Sequence, residues 1–153
     1  FLSNCSIYSF SGASIPEDAK TISISYIHNQ ANLIQPNLSN SITESLINKC
    51  LTETPLNLVE NHGDISFRGT ITNYTISPVA INNLETASQN RLTITIEIIF
   101  MNKYNQEDNF TKVFSQYTDF NSSSNFSEIE EELCSSIILD LIDDIFNQSL
   151  VNW

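Results

Sequence analysis

Residues 91–98 alternate between apolar and polar side chains without interruption, and Phe100 continues the apolar phase. A period of two predicts a β-strand that is buried on one face. Such a strand needs neighbouring strands at its edges and a cover over its apolar face. The inward set is Leu92, Ile94, Ile96, Ile98 and Phe100, and the outward set is Arg91, Thr93, Thr95 and Glu97.

The last thirty residues supply that cover. Ser127 and Glu130 have the spacing of a capping box, which predicts the start of a helix. Apolar residues then recur at helical spacing and form a broad face suited to lie across a sheet. One stripe contains Ile129, Leu133, Ile137, Leu141 and Ile145, and the adjacent stripe contains Cys134, Ile138, Ile142 and Phe146.

Four further segments complete the predicted fold. Alternation predicts strands at 21–26, 65–76 and 110–120, the second with a bulge near Asn73. A capping box at Ser41 predicts a helix that ends near 52–54. The order β-α-β-β-β-α indicates an α+β domain: a four-stranded, mainly antiparallel sheet with two helices on one face. We expect residues 1–20 to be a tether and residues 21–153 to form this single domain.

Charge and motifs exclude several functions. The formal net charge is −12 and the pI is about 4.2, which argues against nucleic-acid binding. No apolar run approaches the ~20 residues of a membrane-spanning helix. His28 and His62 fit no metal-binding or catalytic spacing. We therefore expect no enzyme activity, cofactor or metal.

The chain opens Phe1-Leu2-Ser3-Asn4-Cys5. This run resembles the end of a bacterial lipoprotein signal, in which Cys5 would carry the lipid and the following Ser-rich stretch would serve as a tether. Cys5 could also be an ordinary cysteine in a frayed tail. Cys50 and Cys134 could form a disulfide in an oxidising compartment, or be buried free thiols.

Two helices can cover only one face of the sheet, so a second face is left uncovered. It could be a solvated surface, or a polar surface that docks a partner. Arg68, Arg91 and Lys112 are expected on this face, where they could contact an anionic ligand. The polar residues assigned to it are Ser23, Ser25, Ser66, Thr70, Thr72, Thr93, Thr95 and Glu97.

From Cys5 to Trp153 the chain resembles a divergent branch of the lipopolysaccharide-assembly lipoprotein family LptE. The resemblance is carried by CSIYSFSGASIPEDAKTISISY, NRLTITIEIIF and DIFNQSLVNW. It implies two helices on a four-stranded sheet and a lipid anchor at Cys5. It also implies a position at the periplasmic side of the outer membrane, where such proteins plug the β-barrel LptD and help it to assemble.

Some members of the LptE family also bind lipopolysaccharide through basic residues. By residue type and face, the candidates here for contact with lipopolysaccharide or a partner are Arg68, Arg91 and Lys112, with Thr70, Thr93 and Thr95 beside them. The alternative function is a periplasmic lipoprotein that binds a lipid or glycolipid without a barrel partner. That alternative requires a cavity between the helices and the sheet.

Overall fold

A computed structural model describes residues 13–33, 35–79 and 88–151. These residues form six strands, two helices and a short 3-10 turn at Gln106–Asp108. In chain order the elements are β1 (Thr21–Ile24), β2 (His28–Asn29), α1 (Leu38–Glu53), β3 (Asn57–Leu58), β4 (Ile65–Pro78), β5 (Gln89–Asn102), β6 (Phe110–Asn121) and α2 (Phe126–Leu150).

The strands form one sheet in the order β3-β1-β4-β5-β6, and β2 also pairs with β4. The three long strands β4, β5 and β6 are antiparallel, whereas β1 runs parallel to β3 and β4. The α+β class is confirmed, but the sheet has six strands and is mixed. The parallel pairs arise because α1 carries the chain back across the sheet, and a crossover of this kind returns a strand in the same direction.

The strand predicted over 21–26 ends at Ile24, and after a break of three residues a second short strand, β2, begins at His28. At the break, the backbone N–H of Ile27 turns away from the sheet and donates to Thr43 Oγ1 of α1 (3.0 Å). The hydroxyl of Thr43 in turn donates to the backbone carbonyl of Ser39 (2.7 Å). As a result Ile27 is buried, whereas Tyr26, which alternation with Ile22 and Ile24 would place inward, is half exposed.

The long strands follow the sequence pattern closely. The five inward residues predicted on β5 are all buried. The predicted bulge is confirmed, because the pairing of β4 with β5 shifts register between Ile71 and Asn73. Pro78 is the last residue of β4, where its missing N–H does not interrupt a ladder.

Both helices begin earlier than predicted, and neither has a side-chain cap. Helix α1 begins at Leu38, and the N–H of Ser41 already donates to the Asn37 carbonyl. Helix α2 begins at Phe126, and its Glu130 accepts a hydrogen bond (2.5 Å) from the Tyr74 hydroxyl of β4. The capping-box predictions at Ser41 and Ser127 are therefore wrong, because these residues already lie within helical turns.

The helices pack side by side on one face of the sheet and enclose one hydrophobic core. Aromatic rings fill the end of this core nearest the β5–β6 turn. The ring of Phe100 lies 5.0 Å from that of Phe67 and 5.3 Å from that of Phe110, measured between centroids. Such contacts add to the free energy gained from burial alone.

Cys50 and Cys134 are both buried free thiols, so that alternative is confirmed and the disulfide is wrong. Cys134 lines a cleft with Leu38 and Ser41, near the start of α1. Cys50 lies twelve residues beyond Leu38, or about 18 Å along the helix. Burial also raises the pKa of the Cys50 thiol to about 12, which makes it unreactive at neutral pH.

Candidate functional site

The candidate site is the sheet face opposite the helices, here called the open face. In the described part of the chain, both helices pack on the other side of the sheet. Strand register therefore defines the open face directly. On β4 it contains Ser66, Arg68, Thr70, Asn73, Thr75 and Ser77; on β5, Arg91, Thr93, Thr95, Glu97, Ile99 and Met101; and on β6, Thr111, Val113, Ser115, Tyr117 and Asp119.

The register places three of the four threonines predicted for this face, Thr70, Thr93 and Thr95, whereas Thr72 lies at the bulge of β4 and has no partner on β5. Thr93 lies between Thr75 and Tyr117 on the neighbouring strands, and Thr70 pairs with Glu97. The hydroxyls of Thr95 and Ser115 are 2.9 Å apart and form a hydrogen bond across the β5–β6 pair. The centre of the open face is thus a row of hydroxyl groups that can both donate and accept hydrogen bonds.

Arg91 lies on the open face but its charge is already neutralised. Its Nε and one terminal nitrogen donate to the two carboxylate oxygens of Asp119 (2.7 and 3.0 Å). The guanidinium carbon lies 3.7 Å from the centroid of the Tyr117 ring. The hydrogen bond to Asp119 raises the pKa of Arg91, and the same bond lowers the pKa of Asp119.

Lys112 does not lie on the open face as expected, whereas Ser23 lies on that face but is covered there. Lys112 pairs with the inward residue Ile98, and its Nζ donates to Gln148 Oε1 of α2 (2.9 Å). Since Thr111 and Val113 on either side of it lie on the open face, Lys112 must lie on the helix side of β6. Ser23 pairs with Ser66 of the open face, but the turn above it buries its side chain, and its hydroxyl accepts a hydrogen bond from the N–H of Gly63 in that turn (3.1 Å).

The sequence analysis predicted only polar residues for this face and did not include its large apolar side chains. Ile99 and Met101 on β5, and Val113 and Tyr117 on β6, are 37–58% exposed. The signal was present in the sequence, because alternation with Ile98 and Phe100 inward requires Ile99 and Met101 outward. The open face is therefore a mixed surface, with a hydroxyl-rich centre and apolar positions toward the β6 side.

One end of the open face deepens into a cleft of about 480 Å³, here called the loop groove. Its walls come from the turn before β4 and from the residues that follow β5. Arg68 and Lys103 contribute positive charge, and Glu60 and Asp64 contribute negative charge. Of the three basic residues predicted to act together, only Arg68 reaches this groove. His62, beside them, is the one described non-glycine residue with positive φ (57°).

Asp64 holds the turn of the loop groove against β1. Its Oδ2 accepts hydrogen bonds from the N–H of Lys20 (2.9 Å) and from the N–H (3.1 Å) and hydroxyl (3.0 Å) of Thr21. These bonds favour the charged carboxylate, and the one from Lys20 contributes most. They lower the pKa of Asp64 from its usual value.

The Asp64→Asn variant is expected to melt at a lower temperature than the wild type at pH 7. A depressed folded-state pKa contributes stability above the unfolded-state pKa, and this contribution is lost as pH falls through the folded-state value. The difference in Tm between the two proteins should therefore shrink below about pH 4, near the usual pKa of an Asp side chain. Thermal unfolding followed by circular dichroism from pH 2.5 to 7 measures it. A Tm difference that stays constant over this range would contradict the assignment.

Two further features concern metal binding and the membrane. Among the described residues, no group of three or more His, Cys, Asp or Glu side chains is placed to hold a metal ion. None of the helices in that part of the chain combines the length and apolar character needed to cross a membrane. Cys5 lies outside the described residues. Within the predicted tether, Ala13 forms a bridge with Val151, and Ala19 is buried.

Comparison with known proteins adds a family and a fold. The sequence model of the family described as "LptE: Lipopolysaccharide-assembly" matches residues 19–149. No curated protein sequence matches the chain.

Three solved structures resemble this one at low sequence identity. A minor lipoprotein from Acinetobacter baumannii has a TM-score of 0.54 and 15% identity, with 85% of this chain and 91% of that chain covered. A putative neuraminyllactose-binding hemagglutinin homolog from Helicobacter pylori has a TM-score of 0.60, 9% identity and coverage of 92% and 88%. Protein XCC0632 from Xanthomonas campestris has a TM-score of 0.57, 7% identity and coverage of 88% and 86%. At these identities the likeness establishes a shared fold.

Proposed function

This chain belongs to the LptE family of lipopolysaccharide-assembly lipoproteins, and on that premise we propose that it plugs and helps to assemble an LptD-like β-barrel that exports lipopolysaccharide. The family is non-enzymatic, so the proposed role is one of binding and support. The observation that carries the proposal is the open face, whose chemistry suits the lumen of a barrel.

A barrel lumen is polar, and a plug must offer it hydrogen-bonding groups without a large unpaired charge. The open face meets both conditions. Its hydroxyl row provides donors and acceptors, and its charged side chains are two basic and two acidic: Arg68, Arg91, Glu97 and Asp119. The acidic character of the protein lies elsewhere, above all on α2, which has seven carboxylates and no basic residue.

Direct contact with lipopolysaccharide is proposed only for the loop groove. Arg91 is paired with Asp119, and Lys112 points to α2, so neither offers an unpaired cation on the open face. Arg68 and Lys103 both line the groove, where they could approach an anionic group together. Glu60 and Asp64 lie beside these two cations and offset their charge. The support for lipopolysaccharide binding at the groove is therefore weaker than the support for docking of the open face in a barrel.

The proposed location is the periplasmic side of the outer membrane, with the lipid on Cys5. A polar tether between Cys5 and β1 would let the domain reach the barrel while it stays anchored. Because Ala13 and Ala19 contact the domain, the free part of this tether would be shorter than residues 1–20.

The alternative, a lipoprotein that carries a lipid or glycolipid between helices and sheet, has less support. The interface it needs is filled by one cluster of buried side chains, including Phe67, Phe100 and Phe146. The clefts described above open on the surface instead. A ligand of acyl-chain size would have to displace packed side chains, which is costly in a close-packed core.

Purification of the tagged full-length protein from its own outer membrane tests the proposal. We expect a large β-barrel protein to be recovered in equal amount, identified by mass spectrometry. An unrelated lipoprotein with the same tag, purified in parallel, controls for nonspecific recovery. Recovery of the protein alone, after both gentle extraction and chemical crosslinking, would contradict the plug function.

A further inference from the structure

The edge of the sheet formed by β6 has features of a strand-docking site. Strand β6 is the last in the sheet order, so among the described residues only β5 pairs with it. The opposite edge is closed by β3, which is only two residues long. Strand β6 is 12 residues long, and its pairing with β5 runs from Gln89 to Phe100 without a register shift.

The direction of the free backbone groups follows from the hydrogen bonds at one end of β6. The N–H of Ser122 donates to the carbonyl of Ser88 (3.1 Å), one step beyond the Gln89–Asn121 pair. Hydrogen-bonded and non-hydrogen-bonded pairs alternate along an antiparallel ladder. Even-numbered residues of β6 therefore bond to β5, and odd-numbered residues direct their N–H and C=O groups away from the sheet.

These odd-numbered residues are also the exposed ones. Thr111, Val113, Ser115, Tyr117 and Asp119 belong to the open face, and all are exposed. An unpaired edge of this length normally carries a proline, a bulge or several lysines, which block the addition of another strand. This edge has neither proline nor bulge, and its one lysine, Lys112, is held by Gln148 on the helix side.

Beside the free edge, β6 and α2 form a shallow cleft of about 450 Å³. Val113 and Ser115 line it from the strand, and Asp144 and Asn147 line it from the helix. Every second side chain of an added strand would point toward this cleft. Asp140 and Asp144 lie one turn apart on exposed positions of α2, and that helix has no basic residue. Lys112 also lines the cleft, with its Nζ bonded to Gln148, but the two carboxylates outnumber it. The charge of this flank therefore favours a strand with Lys or Arg at those positions.

A second copy of the chain fits this edge poorly. Helix α2 packs over β6, so two copies joined through β6 would place their α2 helices above adjacent strands about 5 Å apart. Packed helices require 8–10 Å between axes, by general packing geometry, and these two would also bring their carboxylates together. A single added strand needs only the 5 Å spacing.

We propose that the free edge of β6 takes up one extended segment of the barrel partner as an added strand, with a Lys or Arg of that segment beside Asp140 and Asp144. This inference rests on the proposed function and names how the partner is held. The wall strands of a closed barrel are already paired on both sides. The added strand must therefore come from a loop or another segment outside the barrel wall. Main-chain hydrogen bonds would supply affinity, as in other cases of strand addition.

The test compares recovery of the barrel with tagged full-length variants expressed in the native cell. Val113→Pro removes one N–H that points to the free edge and leaves the even-numbered bonds to β5 intact. Val113→Thr keeps the N–H and the branched shape, and serves as the matched control. We expect Val113→Pro to recover about tenfold less barrel, because a hydrogen bond is lost and the ring obstructs approach. Val113→Thr should match the wild type.

Circular dichroism shows whether Val113→Pro is folded. If it is not, a second variant tests the proposal. The pair Asp140→Lys and Asp144→Lys reverses the charge of the flank and leaves the sequence of β6 unchanged, with the loss of the one hydrogen bond that Gln116 donates to Asp144 (2.6 Å), and it should also reduce recovery of the barrel. If Val113→Pro is folded and recovers the barrel as the wild type does, strand addition is overturned and the plug function stands. If Val113→Pro is unfolded and the charge-reversed variant recovers the barrel fully, the inference is also overturned. If the wild type itself recovers no barrel, both proposals fall.

Discussion

Replacing Phe100 with alanine is expected to lower the free energy of unfolding by about 4 kcal/mol. Phe100 is 1% exposed, and its ring contacts those of Phe67 and Phe110. The substitution removes apolar surface from the core and leaves a cavity that β5, paired on both sides, cannot collapse to fill. Chemical denaturation measures the loss as a lower midpoint with an unchanged m-value.

The neighbouring residue provides the control. Ile99 is on the same strand but faces the open side, where it is 37% exposed. The variant Ile99→Ala should cost no more than about 1 kcal/mol, since it creates no cavity. Equal losses for Phe100→Ala and Ile99→Ala would mean that the two faces of β5 are assigned incorrectly.

The second large effect is expected at Gly63, in the turn that covers Ser23. A Cβ atom at Gly63 would lie 2.4 Å from the backbone nitrogen of Ser23 and 2.7 Å from the backbone oxygen of Ile65. Both atoms belong to the paired strands β1 and β4, so neither can move alone. We expect Gly63→Ala to destabilise the protein by about 3 kcal/mol, as overpacking does in a rigid site.

Gly69 on β4 is the matched comparison for this substitution. A Cβ atom there would approach the Cδ1 atom of Ile98 most closely (2.8 Å), and this is the end of a flexible side chain. Gly69→Ala should therefore cost about 1 kcal/mol, the lower end of the overpacking range. Thermal and urea unfolding of the two variants should rank them in this order. If Gly69→Ala destabilises the protein more than Gly63→Ala does, the rigidity of the backbone around Gly63 does not explain the loss of stability.

The meander of long strands could be predicted because each strand carries its own signal. Alternation along β5 determines which residues are buried, and the change of phase near Asn73 locates the bulge. The last helix could be predicted from its two apolar stripes. The same periodic pattern also places Thr93, Thr95 and Arg91 on the open face. These features depend on local periodicity, which a single sequence contains.

The remaining features depend on contacts between distant residues. Strand β3 has two residues, and no periodicity can be detected over that length. The break after Ile24 is caused by the hydrogen bond from Ile27 to Thr43 on another element. The pairing of Arg91 with Asp119 requires the register of β5 with β6, and it removes a charge that the sequence alone suggests is available.

The parallel pairing of β1 with β4 has a consequence for the order of folding. Strands β4, β5 and β6 follow one another along the chain, whereas Ile22 pairs with Ile65 across the segment that contains α1. Closing the long loop between β1 and β4 costs conformational entropy, and this cost comes before the contacts between the two strands can stabilise the pair. We therefore expect the meander and α2 to form first and the N-terminal strands to dock afterwards. In native-state hydrogen exchange, the amides of β1 and β2 should exchange through a partial opening that leaves the β4–β5–β6 ladder protected.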